Sequence, residues 1–345
     1  MNKTWRIILL ISVILLIIAG VVGLKYYNNI FADNTRLPEN KKSVYLFIPT
    51  GSTYENIRDT ISPYLKDMQA FDWVAEHKNY PSVVKSGRYK ITDGMSNNEI
   101  INMLRAGNQA PVDLTSTSIR TLDQLAGRIS GVLEPDSASF AVYFASDSVA
   151  EHYGFYEYSF PAMFIPNTYN IYWNTSPKNF CKRMNEEYHR FWNTERMQKA
   201  EKNDLTPVKV STLASIVEME SKKTDEKPRI AGVYINRLEK GMPLQADPTL
   251  VFAIGNFSIR RVLDKHKKIE SPYNTYLNPG LPPGPICLPE ISSLDAVLNY
   301  EKHDYYFFCA KPDYSGYHNF SKTYAQHRQY AALYRRFLNS EGIYR

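Results

Sequence analysis

Two glutamates at the end of one predicted helix, Glu218 and Glu220, are the side chains whose type and spacing point most directly to chemistry. On a helical wheel with about 100° per residue, the apolar residues of 210–217 gather on one face. Glu220 lies about 40° from the centre of that face, whereas Glu218 lies about 120° away, toward solvent. Because the two acids are two residues apart, they do not share a face.

A carboxyl group on an apolar helix face favours general acid chemistry. Burial disfavours the charged form of the carboxyl and raises its pKa. An acid that stays protonated near neutral pH can donate its proton to a glycosidic oxygen. Two other interpretations stay open: a buried salt bridge of Glu220 with Arg237 or Arg229, and a helix end that simply opens to solvent. Under the catalytic interpretation, Glu220→Gln abolishes activity and Glu218→Gln is mild.

The elements that position this helix fill the C-terminal third of the chain. Residues 241–289 read as Pro- and Gly-rich loops. The predicted regular elements around them are helices at about 208–222, 228–240 and 292–298, strands at 305–310 and 316–320, and a final helix from Ser321. The preceding region gives weaker patterns, with helices at 122–132 and from Ser176, and a loop at 163–169.

Residues 43–108 carry clearer local signals. Strands are predicted at 44–48 and 87–91, and Ser52 or Thr53 begins a helix after the first strand. Ser96 and Glu99 form a capping box for another helix, which ends at Gly107. The succession of short strands and helices resembles a small LysM-like module.

The N-terminus predicts a membrane anchor. Residues 7–24 are apolar and uncharged, and 18 residues at 1.5 Å each reach about 27 Å, close to the thickness of a bilayer core. The sequence Lys25-Tyr26-Tyr27 offers no small-residue cleavage site, which favours an uncleaved signal anchor over a cleaved signal peptide. Basic residues flank both ends of the segment, so charge alone does not decide its orientation.

Composition excludes several classes of function. A net charge of +6 over 345 residues is compatible with an anionic membrane surface or an acidic polymer, but is too small to indicate nucleic-acid binding. The three cysteines are widely spaced and form neither a disulfide framework nor a zinc pattern. The sequence has no nucleotide fingerprint and no metal motif, so no cofactor and no metal are predicted.

The motifs of the C-terminal region, taken in order, resemble the endolytic murein transglycosylases of the MltG (YceG-like) family. The resemblance covers most of the chain. Its densest stretches are LASIVE (213–218) with Glu220, AGVYINRL (231–238), GMPLQADPT (241–249), SPYNTY (271–276), GLPPGPI (280–286) and HNFSKTY (318–324). Lys222, Lys223 and Pro289-Glu290 depart from the family pattern, and the two lysines can change the charge around the proposed acid.

The resemblance implies that Glu220 is the catalytic acid/base. The implied substrate is peptidoglycan, cleaved at the β-1,4 bond from N-acetylmuramic acid to N-acetylglucosamine, with 1,6-anhydro ends as products and termination of glycan polymerisation as the role. Gln245, Asp247, Asn274 and Tyr276 are predicted to bind the sugar or to orient the acid, since they lie in loops after helices. Turn-forming or loop-fixing roles are the alternatives for the last three. His318 is left out of the catalytic set.

The predicted fold class is α+β, with a single transmembrane helix, a LysM-like small α/β module and a C-terminal α+β catalytic domain. The predicted segments are an anchor (1–25), a linker (26–42), the module (43–108), a connecting region packed on the catalytic domain (109–205) and that domain itself (206–345). The expected location is the inner (cytoplasmic) membrane, with the body in the periplasm and penicillin-binding synthases as partners. The alternatives are a non-catalytic peptidoglycan-binding scaffold and a hydrolytic muramidase.

Overall fold

The computed structural model describes residues 3–259 and 261–342, which form two compact units. Unit 1 contains residues 3–113, 132–134 and 170–175, and unit 2 contains 114–131, 135–169 and 176–342. The described residues have mixed α+β structure, as predicted, in which helices predominate and the strands form two-stranded sheets.

The first helix, α1 (Lys3–Phe31), has the length and composition of a membrane span. Its 29 residues extend about 43 Å, which exceeds the bilayer core of about 30 Å. Its large apolar side chains are exposed, for example Leu16 and Leu24. Within the described part of the chain, the apolar window of this helix is not buried, so the helix is compatible with a single-pass anchor.

Unit 1 is built on an antiparallel strand pair, in which β1 (Ser43–Ile48) pairs with β2 (Gly87–Thr92). Its other helices are α2 (Tyr54–Ile61), α3 (Met68–His77) and α4 (Asn97–Ala106). Thr53 caps α2 and Ser96 caps α4, each in a capping box. The predicted strands and caps of this region are therefore confirmed, and the order of elements is strand, helix, helix, strand, helix.

Unit 2 is mainly helical. Its helices are α5 (Leu122–Ser130), α6 (Ser137–Phe144), α7 (Asp147–His152), α8 (Pro177–Phe191), α9 (Thr194–Lys202), α10 (Pro207–Glu220), α11 (Lys227–Glu239), α12 (Asp247–Ile254), α13 (Ile291–Leu298) and α14 (Tyr324–Ser340). The remaining strands form two short pairs, β3 (Val112–Thr115) with β4 (Thr168–Ile171) and β5 (Phe307–Ala310) with β6 (His318–Ser321), of which only the second pair lies wholly in unit 2. The described residues also form short 3₁₀ helices at Ser62–Tyr64, Tyr80–Ser82, Phe160–Met163 and His266–Lys268. The chain passes from unit 1 to unit 2 within β3.

Helix α10 is the centre of unit 2, because α9, α11, α12 and α13 all pack against it. Every residue from Val210 to Glu218 is buried. The predicted solvent-facing position of Glu218 is therefore wrong: the side chain is 8% exposed and accepts from Lys227 Nζ at 2.8 Å and from Ser293 Oγ at 2.5 Å. A helix enclosed on all sides has no solvent face for a helical wheel to find.

The segments predicted to be loops contain helix α12, part of strand β4 and a short 3₁₀ helix at His266–Lys268. Helix α12 begins at Asp247 in the Pro- and Gly-rich region, and Pro248 lies in its first turn, where proline needs no hydrogen-bond partner for its nitrogen. Strand β4 includes Thr168 and Tyr169 of the predicted loop 163–169. Its four residues are too few to give a clear alternating pattern.

The GLPPGPI segment (280–286) lies against α10. The backbone N–H of Ile286 donates to Ser215 Oγ at 2.9 Å in the middle of the helix. A Cβ atom at position 284 would lie 1.7 Å from the carbonyl oxygen of Tyr158, so only glycine fits there. This packing brings Ile286 to the end of α10 that carries Glu220.

Candidate active site

Glu220 is the last residue of α10, where the enclosed helix ends at a cavity. Its Oε1 atom accepts a hydrogen bond from the Tyr234 hydroxyl of α11 at 2.7 Å. Tyr234 is 2% exposed, which fixes the phenol rigidly behind the carboxyl group. The acid is thus held at one oxygen by a buried donor.

Burial raises the pKa of Glu220 to about 7. The Tyr234 hydrogen bond and the charge of Arg237 lower that pKa, and the negative charge of Asp247 raises it. At neutral pH a large fraction of the carboxyl groups therefore carry a proton. This is the protonation state that a general acid needs.

Glu220 does not form the salt bridge with Arg237 or Arg229 that the sequence left open. The Arg237 guanidinium donates to the backbone carbonyls of Tyr306 at 2.7 Å and Leu244 at 2.7 Å. Arg229 instead pairs with Glu301 at 3.0 Å. Both arginines are therefore engaged elsewhere, and Arg237 affects Glu220 only through its charge.

The cavity beside Glu220 has a volume of about 350 Å³. Its charged lining residues are Arg120, Glu220, Asp247 and Arg261, and its apolar wall includes Phe252 and Phe257. Small-molecule sites usually have volumes of about 300–1,000 Å³ and combine apolar walls with a few polar groups. The cavity therefore has the size and lining of a ligand site, with the protonatable carboxyl in its wall.

Asp247, one of the predicted site residues, lines this cavity and contacts a second one, Tyr276. Asp247 is exposed at the first position of α12, and its Oδ1 accepts from the Tyr276 hydroxyl at 2.5 Å. The Asp247 charge raises the pKa of Glu220. Burial and the Asp247 hydrogen bond raise the pKa of the Tyr276 phenol, and the charge of Glu220 raises it further. The structure thus brings Glu220, Asp247 and Tyr276 into one electrostatic cluster.

Comparison with known proteins places this chain in a family. The sequence model described as the YceG-like family matches residues 46–332. The chain belongs to the YceG-like family.

Two relatives and one solved structure extend this result. An endolytic murein transglycosylase of Bacillus subtilis is 31% identical, with 84% of each chain aligned. Another, of Streptococcus pneumoniae, is 29% identical, and this chain spans 61% of its length. The crystal structure of a yceG-like protein from Listeria monocytogenes matches with a TM-score of 0.56 and 27% identity, covering 84% of this chain and 99% of that one. The comparisons confirm the predicted family and the enzyme class, lytic transglycosylase.

The other two predicted site residues of this YceG-like chain, Gln245 and Asn274, do not line the cavity. Gln245 is exposed with a positive φ of 50°, and its backbone N–H donates to the carbonyl of Thr275. Asn274 is fully buried; its amide donates to the carbonyls of Lys267 and Ile269 and accepts from the N–H of Tyr276. The structure therefore favours the loop-fixing alternative for Asn274, because no part of its amide faces the cavity.

Sequence reasoning missed two residues of the site. Tyr234 lies within the AGVYINRL motif, and a signal for it was present, since a tyrosine at a buried helical position needs a partner for its hydroxyl. Arg120 lies far from the motif run, and no local pattern connects it with Glu220. His318, left out of the site, has its Nδ1 2.7 Å from Oε2 of the buried Glu226 and is itself half-buried.

A larger cavity of about 610 Å³ lies elsewhere in unit 2 and does not contain Glu220. It is lined by residues of α10 and α11 on one side and by 280–283 on the other. Charged residues line both cavities, but Glu220, the acid whose pKa burial raises to about 7, lines the smaller one. Among the described residues, no group of three or more His, Cys, Asp or Glu side chains could hold a metal ion.

The Tyr234 hydrogen bond gives a testable pH dependence. Cleavage that requires protonated Glu220 falls as pH rises through about 7, because the acid loses its proton there. Tyr234→Phe removes a donor that lowers this pKa, so the alkaline limb of the pH–rate profile is expected to move to higher pH. Initial rates of glycan cleavage measured between about pH 4 and about pH 9 locate the limb, because this range brackets the usual glutamate pKa of about 4.3 and the raised value of about 7.

The matched control is Asp247→Asn, which acts with the opposite sign. Loss of the Asp247 charge lowers the pKa of Glu220, so the alkaline limb of the Asp247→Asn pH–rate profile is expected to move to lower pH. Movement of both limbs in the same direction would contradict the assignment of the limb to Glu220.

Proposed function

We propose that this chain is an endolytic peptidoglycan lytic transglycosylase. It cleaves the β-1,4 bond from N-acetylmuramic acid to N-acetylglucosamine in nascent strands and leaves 1,6-anhydro ends. The family membership and the name of the relatives, endolytic murein transglycosylase, support this proposal. The observation that carries it is Glu220, a carboxyl whose pKa burial raises to about 7, in the wall of a cavity of about 350 Å³.

The proposed reaction needs one acid and consumes no water. Protonated Glu220 donates its proton to the leaving oxygen while positive charge develops at the anomeric carbon of the muramoyl residue. The Glu220 carboxylate then accepts a proton from the 6-hydroxyl of the same residue, whose oxygen attacks the anomeric carbon. One C–O bond breaks, one forms, and the acid returns to its protonated state.

Asp247 gives a reason to keep one other candidate, a hydrolytic muramidase. Glycoside hydrolases generally use two carboxyl groups, one as acid and one as nucleophile or base, and Asp247 is a second carboxyl in the same cavity. We favour transglycosylation, because Asp247 accepts a hydrogen bond from the Tyr276 hydroxyl at 2.5 Å and its charge raises the pKa of Glu220. These contacts suit a residue that tunes the acid.

Mass analysis of the products separates the two reactions. A transglycosylase leaves fragments with anhydro ends, and a hydrolase leaves reducing ends that have gained one water. We expect anhydro ends at internal positions of glycan strands incubated with the protein. Reducing ends would favour the muramidase. No cleavage by the wild-type protein would favour the third possibility, a non-catalytic peptidoglycan-binding scaffold.

The proposal includes location and organisation. Helix α1 anchors the chain in the cytoplasmic membrane as a single span, and the body lies on the periplasmic side, where glycan strands are made. Residues 43–108 form a LysM-like module, which the order strand, helix, helix, strand supports. The connecting region (109–205) and the catalytic domain (206–345) follow. Penicillin-binding synthases are the proposed partners, and cleavage of their product ends glycan polymerisation.

A further inference from the structure

Arg120 is a cationic residue in the wall of the Glu220 cavity that the proposed reaction does not use. Its guanidinium carbon lies 4.9 Å from the centre of the Phe257 ring, in a cation–π contact. Among the described residues, no carboxylate pairs with this guanidinium. Its hydrogen-bond donors therefore remain available to a molecule in the cavity.

The backbone at Arg120 is held on both sides. The carbonyl of the preceding Ile119 accepts from the N–H of Leu288 at 2.8 Å, next to the GLPPGPI segment. The N–H of Arg120 itself donates to Gln124 Oε1 at 2.9 Å in the first turn of α5. Fixing the backbone and stacking the side chain on Phe257 reduce the entropy that the arginine loses on binding a ligand.

The two kinds of charge in the cavity match two parts of a muramoyl residue. Glu220 and Asp247 are the acidic lining residues, and Arg120 and Arg261 are the basic ones. The glycosidic bond must lie at the acid. The lactyl ether of muramic acid carries a carboxyl group, which is either free or joined to a peptide that has carboxylates of its own. A guanidinium binds carboxylates through paired N–H donors.

We propose that Arg120 binds a carboxylate carried by the lactyl substituent of the muramoyl residue and thereby selects acidic glycan strands. The inference rests on the proposed function, since it names the part of that substrate which the basic side of the cavity contacts. Arg120 is thus a specificity-determining residue. The acidic group is either the lactyl carboxylate itself or a carboxylate of the attached peptide.

The test compares three substrates with wild type and Arg120→Gln. The first substrate is peptide-bearing glycan. The second is glycan from which an amidase has removed the peptide, which frees the lactyl carboxylate. The third is either of these strands with its carboxyl groups converted to neutral amides. A charge-assisted hydrogen bond corresponds to about 10- to 100-fold in affinity. We expect the wild-type kcat/KM to fall by about that factor on the neutral strands, and Arg120→Gln to cleave charged and neutral strands equally slowly.

Comparison of the three substrates also separates the two sources of the carboxylate. Dependence on Arg120 with stripped strands assigns the lactyl group, and dependence only with peptide-bearing strands assigns the peptide. Arg120→Lys keeps the charge without the paired donors and is expected to retain part of the preference. Arg128→Gln, an exposed arginine on α5, is the matched control and keeps the wild-type preference.

Two results would overturn the inference in distinguishable ways. If Arg120→Gln is folded, as its melting temperature reports, and still prefers charged strands as strongly as wild type, Arg120 does not bind the carboxylate and the proposed function stands. If wild type cleaves none of the strands, the proposed function fails and the inference fails with it.

Discussion

Glu220→Gln is expected to reduce glycan cleavage by at least about 10²–10⁴-fold, the contribution typical of a general acid–base residue. Glutamine has nearly the shape of glutamate, and its side-chain oxygen can still accept from the Tyr234 hydroxyl. It has no proton to give to a leaving oxygen in this pH range. Quantified release of anhydro-ended fragments, at equal concentrations of folded protein, measures the loss.

The same variant is expected to be at least as stable as wild type at pH 8. The folded pKa of Glu220, about 7, is above the usual value of a carboxyl. The folded state therefore holds the proton more tightly than the unfolded state, so Glu220 reduces stability as pH rises from the usual carboxyl pKa through about 7. The glutamine variant has no such loss of stability with rising pH, because its side chain does not titrate. Thermal melts at about pH 4 and about pH 8, below the usual carboxyl pKa of about 4.3 and above the raised value of about 7, test it. A folded variant with wild-type cleavage would exclude Glu220 as the acid.

Glu218→Gln is expected to destabilise the fold by about 3–5 kcal/mol, the usual effect of removing one partner of a buried ion pair. Glu218 and Lys227 are 8% and 2% exposed, and the ion pair joins α10 to α11. Burial raises the pKa of Glu218, but the hydrogen bonds from Lys227 and Ser293 outweigh it, and the net pKa is lowered. The variant leaves a buried ammonium with no charged partner, so we expect a loss of stability in addition to the mild effect on cleavage predicted from the sequence.

A glutamate at the surface gives the matched comparison. Glu195 pairs with Lys199 at 2.8 Å on exposed α9, where such a pair contributes about 0–1 kcal/mol. The midpoint of urea or thermal unfolding of Glu195→Gln should therefore be close to that of wild type. The midpoint of Glu218→Gln should be well below it. Cleavage per folded molecule should survive in both. A Glu218→Gln protein as stable as wild type would contradict the buried ion pair.

The sequence predicted the local features of this fold well. The bounds of α4 followed from a capping box at Ser96 and a glycine at 107, both of which act within a few residues. Helices α8 and α10 begin with a hydroxyl cap and a proline, Ser176-Pro177 and Thr206-Pro207. The start of α8 was read correctly because such signals need no knowledge of distant contacts.

Contacts between distant segments were the part that the sequence could not provide. Glu218 was predicted to face solvent, but the polar residues Ser211, Thr212 and Ser215 of the same helix are all buried. A helical Ser or Thr hydroxyl can donate to a carbonyl of the preceding turn, as Thr212 does to Val208 and Ser215 to Thr212. Buried polar residues of this kind look exposed in a sequence, which explains the error at Glu218.

The site shows the same limit. Glu220 could be selected because its motif and its helix are local. Tyr234, Asp247 and Arg120 reach it from α11, α12 and the segment before α5, and only the packing of these elements decides which side chains meet. Asn274 was chosen from its loop, yet its hydrogen bonds stay within that loop.

The most direct test of the central claim is the titration of the Glu220 carboxyl itself. In protein labelled with ¹³C at glutamate side chains, wild type should show one carboxyl resonance that titrates near pH 7, and Glu220→Gln should lack it. If every glutamate titrates near its usual value of about 4.3, or if the high-pKa resonance persists in Glu220→Gln, Glu220 is not the protonated acid and the catalytic account is contradicted.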